Sequence, residues 1–136
     1  MASKVVRQSF RDSLQTAFPG IAYVESIAMR VDNNALPALW MSIEFIAGTD
    51  QPICIGKPTL WRENATTRIW IVCQSGSGDD AAIEQGDLVA EFYRNWSSTA
   101  PSIRTQNVSS PNSQIESDGR WWLAYVDVPY QHDYYV

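Results

Sequence analysis

The chain predicts an α+β fold: a single, mostly antiparallel twisted sheet packed by two helices, an N-terminal helix and a helix at about 79–96. Three observations carry this prediction. An amphipathic stripe opens the chain. The apolar run Arg68-Ile69-Trp70-Ile71-Val72-Cys73 stops at Ser75-Gly76-Ser77-Gly78-Asp79-Asp80 and gives way to a second amphipathic segment reaching Trp96. A tryptophan-rich alternating strand then follows Asp118-Gly119. Strand, tight turn, helix and closing strand are the parts of one sheet-plus-helix layer pair. The 136 residues fit a single domain over 1–136, because domains most often run roughly 100 to 150 residues. Loop or arm segments are expected near 30–37 and 106–119.

Val6, Phe10, Leu14, Ala17 and Phe18 recur at helical spacing between Ser3, a candidate N-cap, and Pro19-Gly20, so the first helix is expected over 4–18. Ile21-Ala22-Tyr23-Val24 could be a short strand; the structure of 21–36 stays open. From Ala38 to Ile46, Leu39, Met41, Ile43 and Phe45 alternate with Trp40, Ser42 and Glu44, as a half-buried strand requires. Gly48-Thr49-Asp50 reads as a turn and Pro52 to Gly56 as a short strand or edge piece. Thr59 to Glu63 and Thr66 to Cys73 read as hairpin arms with Asn64-Ala65 at the tip, since Asn tolerates a positive φ.

Asp79 or Asp80 suits the N-cap of the second helix, whose buried stripe is Ala82, Gly86, Val89, Phe92 or Tyr93, and Trp96. Gly86 costs about 1 kcal/mol against Ala inside a helix, which points to a close approach of helix and sheet. Ser97 to Pro101 ends the helix, Ser102 to Val108 is a polar strand, and 109–113 is loop material. Trp121 to Val128 alternates again, with Trp122, Ala124, Val126 and Val128 on one face, and Pro129 is expected to terminate it. The aromatic stretch 130–136 reads as an exposed tail.

Apolar residues make up 45% of the chain and charged residues 18%, below the usual charged share of about 25%. Six Trp, six Tyr and four Phe exceed what a core of this size obviously needs, and Trp and Tyr are enriched at protein interfaces. The formal charge of -5 argues against nucleic acid as a partner, because phosphate binding needs clustered Lys and Arg. Lys4, Arg7 and Arg11 follow helical spacing and read as a solvated face. No membrane-spanning run of ~18 apolar residues and no hydrophobic signal region is visible, so a soluble chain that is not exported by the usual route is expected.

The residues offer little for catalysis. Cys54 and Cys73 sit in apolar runs and read as buried free thiols. Gly76-Ser77-Gly78 lacks the Lys-Ser/Thr of a phosphate loop, and Asp79-Asp80 puts negative charge where phosphate would sit. His132 is the only histidine and reads as a surface residue of the tail. Glu44, Glu63, Glu84, Glu91 and Glu116 are scattered and read as solvated. Arg62, Glu63 and Arg68 read as members of cross-strand or intersubunit ion pairs. The expectation is therefore a protein that is not an enzyme, with no catalytic, cofactor-binding or metal-binding residues.

The order helix, sheet, Arg68-Ile69-Trp70-Ile71-Val72, then Ser75-Gly76-Ser77-Gly78 leading into a helix that ends near Phe92, is followed by a polar strand and by Gly119-Arg120-Trp121-Trp122 through Val128-Pro129-Tyr130. Over nearly its whole length this resembles the small tail terminator-like proteins of tailed bacteriophages, including a phage-related family of unknown function of the minor tail protein type. It departs from that pattern at Asn64-Ala65, where relatives often carry Gly after an Arg.

The resemblance implies a subunit that assembles into a homo-oligomeric ring, typically a hexamer, on the end of the tail tube. Such a ring stops tube growth and joins tail to head. The implied partners are copies of itself, the tail tube protein and the head-tail connector or neck protein. DNA passes through the ring without sequence-specific binding, and no membrane is involved. The implied location is the head-proximal end of the virion tail, after assembly in the bacterial host cytoplasm. The alternatives are a head-tail neck or tail-completion protein, and a small ligand-binding or enzymatic α+β domain with a pocket between the aromatic sheet face and the 89–96 side of the helix. The interface candidates are Trp61, Arg62, Arg68, Trp121, Tyr130, Tyr134 and Tyr135.

Overall fold

A computed structural model describes residues 4–25, 38–74, 80–115 and 121–136. The fold is α+β. Helix α1 (Lys4–Ala17) is followed by strands β1 (Ala22–Tyr23), β2 (Leu39–Pro52) and β3 (Leu60–Gln74), helix α2 (Asp80–Arg94), and strands β4 (Ser97–Thr99), β5 (Ser102–Thr105), β6 (Asn112–Ile115) and β7 (Trp121–Tyr135). The sheet order is β1-β2-β3-β7-β5-β4, and β6 also pairs with β7. Among the described strands only β1 runs parallel to its neighbour. The predicted N-cap Ser3, the Gly-rich break at 75–79, the arm at 30–37 and residues 116–119 of the second arm lie outside the described residues.

Three long strands form the frame. β3 is central and is paired along its length by β2 on one side and β7 on the other. The period-2 pattern sorts its residues cleanly. Ile69, Ile71 and Cys73 meet Met41, Ile43, Ala124, Val126 and Val128 in the main core, while Val72 joins Trp40 and Trp121 in a second cluster on the opposite face. That alternation was legible for β2 up to Ile46 and for β7 up to Val128.

The hairpin expected around Asn64-Ala65 does not form; β3 runs straight through it. Asn64 and Ala65 pair with Gln131 and Tyr130 of β7, and Asn64 also faces Thr49. Two ladders outweigh the weak turn preference of one Asn, whose side chain instead accepts a hydrogen bond from Gln131 Nε2 at 3.1 Å. Likewise Gly48-Thr49-Asp50 is no turn. β2 continues to Pro52 across an irregularity between Ile46 and Thr49, where a Cβ on Gly48 would lie 1.7 Å from the Asn64 carbonyl oxygen. Glycine alone lets the bulged backbone pass. The turn comes later, over 53–59, so Pro52 to Gly56 is not an edge strand.

β7 also outruns its expected end. Pro129 lacks an N–H, but its carbonyl accepts from Gln106 N at 2.7 Å on the side away from β3. Its nitrogen points to that same side, in the gap where β6 pairing has stopped at Tyr125 and β5 pairing has not begun before Tyr130. The β3 ladder therefore loses nothing. Residues 106–115 of the expected second arm lie along this edge of β7: Ser109 N donates to Asp127 O and Asp127 N to Ser109 Oγ, and β6 follows. Ser97 to Pro101, expected only to end the helix, contributes the short β4.

Both helices cover one face of the sheet. Val6, Phe10 and Leu14 of α1 are fully buried, and Phe10 is the hub of an aromatic cluster, 5.2 Å from Trp96 and Tyr130, 5.8 Å from Tyr93 and 6.4 Å from Phe45 between ring centres. α2 buries Ala82, Gln85, Gly86, Val89, Ala90 and Tyr93. Its last turn is closed by Thr105 Oγ1, which donates to the carbonyls of Tyr93 and Trp96. The helices are tied together by Ser13 Oγ and Tyr93 Oη, 2.9 Å apart. Arg7 and Arg11 do not form a purely solvated face: each guanidinium lies 5.5 Å from the Phe45 ring, and Arg11 also pairs with Glu25.

Candidate interaction surfaces

The face of the sheet opposite the helices carries rows of cross-strand neighbours. Register places Glu44, Arg68 and Asp127 in one row, Ser42, Trp70 and Tyr125 in the next, and Gln51, Arg62 and Asp133 near the far end. Arg68 forms a fork with Asp127, Nε to Oδ1 at 2.7 Å and Nη2 to Oδ2 at 3.1 Å. Arg62 does the same with Asp133 at 2.7 and 2.9 Å. The Arg68 guanidinium also lies 4.2 Å from the Tyr125 ring centre, and Trp70 Nε1 donates to Glu44 Oε2 at 2.9 Å.

These pairs set the electrostatics. The hydrogen bond from Arg62 holds the Asp133 carboxyl below its usual range, and the carboxylates raise both guanidinium pKa values. Two parallel N–H bonds leave each guanidinium committed to its own carboxylate. The sequence candidates Arg62 and Arg68 are therefore members of intramolecular cross-strand pairs, with Nε and Nη2 of each guanidinium bonded to its own aspartate.

Two other candidates belong to cores. Trp121 is buried against Trp40, the rings 6.2 Å apart and nearly perpendicular. Tyr130 is only 2% exposed and donates its hydroxyl to Glu63 Oε1 at 2.9 Å. Burial first, then the Glu63 charge, pushes the Tyr130 phenol well up from its ordinary value. Glu63 is therefore not the solvated carboxylate expected from sequence, and His132 is not on a free tail. It sits opposite Glu63 in the ladder, its Nδ1 is 2.8 Å from the Ser102 carbonyl, and its ring stacks on Tyr134. At 3% and 8% exposure, Glu63 and His132 are closed to a substrate.

Trp61, Tyr134 and Tyr135 do come together. Trp61 faces Tyr134 and Leu60 faces Tyr135 at the end of the sheet where β2 turns into β3. The connecting turn adds Ile53 and a fully exposed Ile55, and Tyr135 and Val136 are 68% and 74% exposed. Val136 is held beside the turn by reciprocal backbone bonds with Thr59. This apolar tip also holds Cys54, which is exposed, against the expectation of two buried thiols; Cys73 alone is buried. Gly56 and Lys57-Pro58 are turn formers that the strand reading of Pro52 to Gly56 passed over.

The helix layer carries a second apolar feature, on the 89–96 side of α2 where a pocket against the sheet face was the alternative expectation, but bounded by α1 and not by the sheet. The end of α1 and the outer side of α2 bound an open groove of about 430 Å3. Phe18, Leu88, Phe92 and Trp96 form its apolar wall, and Glu91 with Asn95 its polar part. Phe18 and Phe92 meet edge to face at 5.9 Å. Among the described residues Glu91 is the lone ionisable group of the lining. Among the described residues no group of three or more His, Cys, Asp or Glu could hold a metal ion, and no helix is long and apolar enough to cross a membrane.

Fold and surfaces define an α+β protein with, among the described residues, two helices and a seven-stranded mixed sheet. Twenty solved chains match it. One of them, at 16% identity, aligns with a TM-score of 0.63 over 100% of this chain and 99% of that chain, a likeness of fold. No family model matches the chain, and no curated protein matches it.

Proposed function

We propose that this chain is a structural subunit that works by docking against copies of itself and against other virion parts, as a tail terminator-like protein that caps a phage tail tube as a ring. The observation that carries this reading is the concentration of exposed apolar side chains, Ile53, Ile55, Tyr135 and Val136, at one end of the sheet. Apolar surface rimmed by polar residues is the usual mark of a protein contact. The specific role rests on the resemblance carried by Arg68 to Gly78 and by Gly119 to Tyr130. The buried Glu63 and His132 and the pairing of Arg62 and Arg68 with aspartates inside the subunit favour a docking part over one that transforms a substrate.

The ring in this reading is a hexamer whose partners are the tail tube protein and the head-tail connector. The net charge of -5 suits a lumen through which DNA slides, since like charge opposes phosphate adhesion. Electron microscopy of particles assembled without the protein tests the role. Overlong tails and separate heads and tails are expected; tails of normal length on joined particles would defeat it. Normal tails that fail to join heads would instead assign the neck or tail-completion role.

A further inference from the structure

We propose that the 53–58 turn of one subunit plugs the helix groove of a second copy, with Ile55 against the Phe18, Leu88, Phe92 and Trp96 wall and Lys57 facing Glu91. This deepens the self-assembling reading above and rests on it. Ile55 is 105% exposed, so it is uncovered by the described residues of its own subunit, while Leu88 in the groove is 52% exposed. Fully exposed isoleucine on a turn anchored at both ends, with Ile53 beside it, is apolar surface presented outward at the end of the sheet. The groove is apolar surface recessed in the helix layer. The two are different surfaces of the same molecule.

Charge selects a second copy as the occupant. Lys57 is the lone charge in the turn 53–59. The exposed side of α2 carries Asp80, Glu84, Asp87 and Glu91 against the single cation Arg94. A cationic apolar plug thus meets an acidic apolar socket, and opposite potentials favour that register over plug against plug or socket against socket. A plug and a socket on different surfaces make a heterologous, head-to-tail joint, which closes into a ring when its rotation is right. The exposed Cys54 would then lie at the joint.

The test uses the full chain. Ile55→Asp and Leu88→Asp both change exposed side chains, and circular dichroism confirms that each still folds. In native mass spectrometry and sedimentation each variant alone should self-associate at least tenfold more weakly than the unaltered protein. Mixed in equal amounts they should form a species of two subunits and no larger, because each retains the half of the joint that the other lacks. Lys57→Glu should weaken association and Glu91→Lys should restore it in the double variant. Oxidation of Leu88→Cys should give a ladder of disulfide-linked subunits through native Cys54, abolished by Cys54→Ser, even where association is too weak to weigh. Unchanged assembly of Ile55→Asp and Leu88→Asp, or a Leu88→Cys protein that yields no linked subunits, overturns the joint. If rings still form in those variants, the ring reading stands without it. If the unaltered protein neither assembles nor caps tail tubes, that reading falls as well.

Discussion

Gly86 of α2 and Pro111 lie so close that a Cβ on the glycine would sit 2.8 Å from the proline Cβ and 2.9 Å from its Cγ. The sequence pointed to a close approach of helix and sheet at Gly86: Val126 of β7 would lie 3.8 Å from that Cβ, but the tightest neighbour is Pro111, in the segment that leads into β6. A proline ring has no flexible end with which to yield. Gly→Ala inside a helix ordinarily stabilises by about 1 kcal/mol. Here Gly86→Ala is expected to reverse that sign, with a net loss of about 1 to 3 kcal/mol from overpacking, read as a lower urea midpoint. An unchanged or higher midpoint would show that Pro111 moves freely.

The fork between Arg68 and Asp127 should be measurable as a coupling. Their side chains are 28% and 29% exposed, so solvent screens the pair, and a double-mutant cycle of Arg68→Ala and Asp127→Ala is expected to give about 0.5 to 1 kcal/mol. Arg68→Ala alone should cost more than Asp127→Ala, because it also uncovers the Tyr125 ring. Arg68→Lys should recover little of the coupling, since an ammonium cannot form the two parallel bonds. Full recovery by lysine would mean that the geometry contributes nothing.

Asp133 links stability to acid. Its carboxyl is held below the usual range by Arg62, so its contribution is complete above the unfolded value of about 3.9 and disappears as pH falls through the lower folded value. The difference in denaturant midpoint between the unaltered protein and Asp133→Asn should thus be widest at neutral pH and shrink below about pH 4. A difference that did not change with pH would assign the effect of the substitution to packing.

At the alkaline end the sign is set by tyrosine. Burial raises the phenols of Tyr93 and Tyr130 far above their ordinary value. Their contribution is whole below about pH 10 and is lost as pH rises toward the folded values. In an ultraviolet titration, these two of the six tyrosines should ionise only as the protein unfolds. Tyr93→Phe should lessen the fall in stability between pH 9 and pH 11. Six phenols ionising together in the folded protein would contradict the burial.

Much of the fold was legible because it depends on neighbours in sequence. The stripe Val6, Phe10, Leu14 and the alternation of Met41 with Trp40, or of Trp122 with Trp121, need nothing beyond one period and a boundary between water and core. Other features needed partners far along the chain. Asn64-Ala65 reads as a turn until β2 and β7 lie on either side of it. Pro129 reads as a terminator until its nitrogen is seen to face the gap between β5 and β6. The interaction surfaces divided in the same way. Trp61, Tyr134 and Tyr135 were flagged as aromatic and are at the apolar tip, while Trp121 and Tyr130 were flagged by the same chemistry and are core. Residue type does not say on which side of a strand a ring will be covered.

Composition and period are local quantities, and they were enough for the α+β class, both helices and the faces of the long strands. Register is not local. Which carboxylate meets Arg62 or Arg68, why Gly48 must lack a side chain, and why Ile55 stands alone in water while His132 does not, all follow from strands 60 or 70 residues apart being aligned by a common core. Sliding β7 by a single position would move every one of its side chains to the other face, and only the packed sheet with its two helices excludes that alternative.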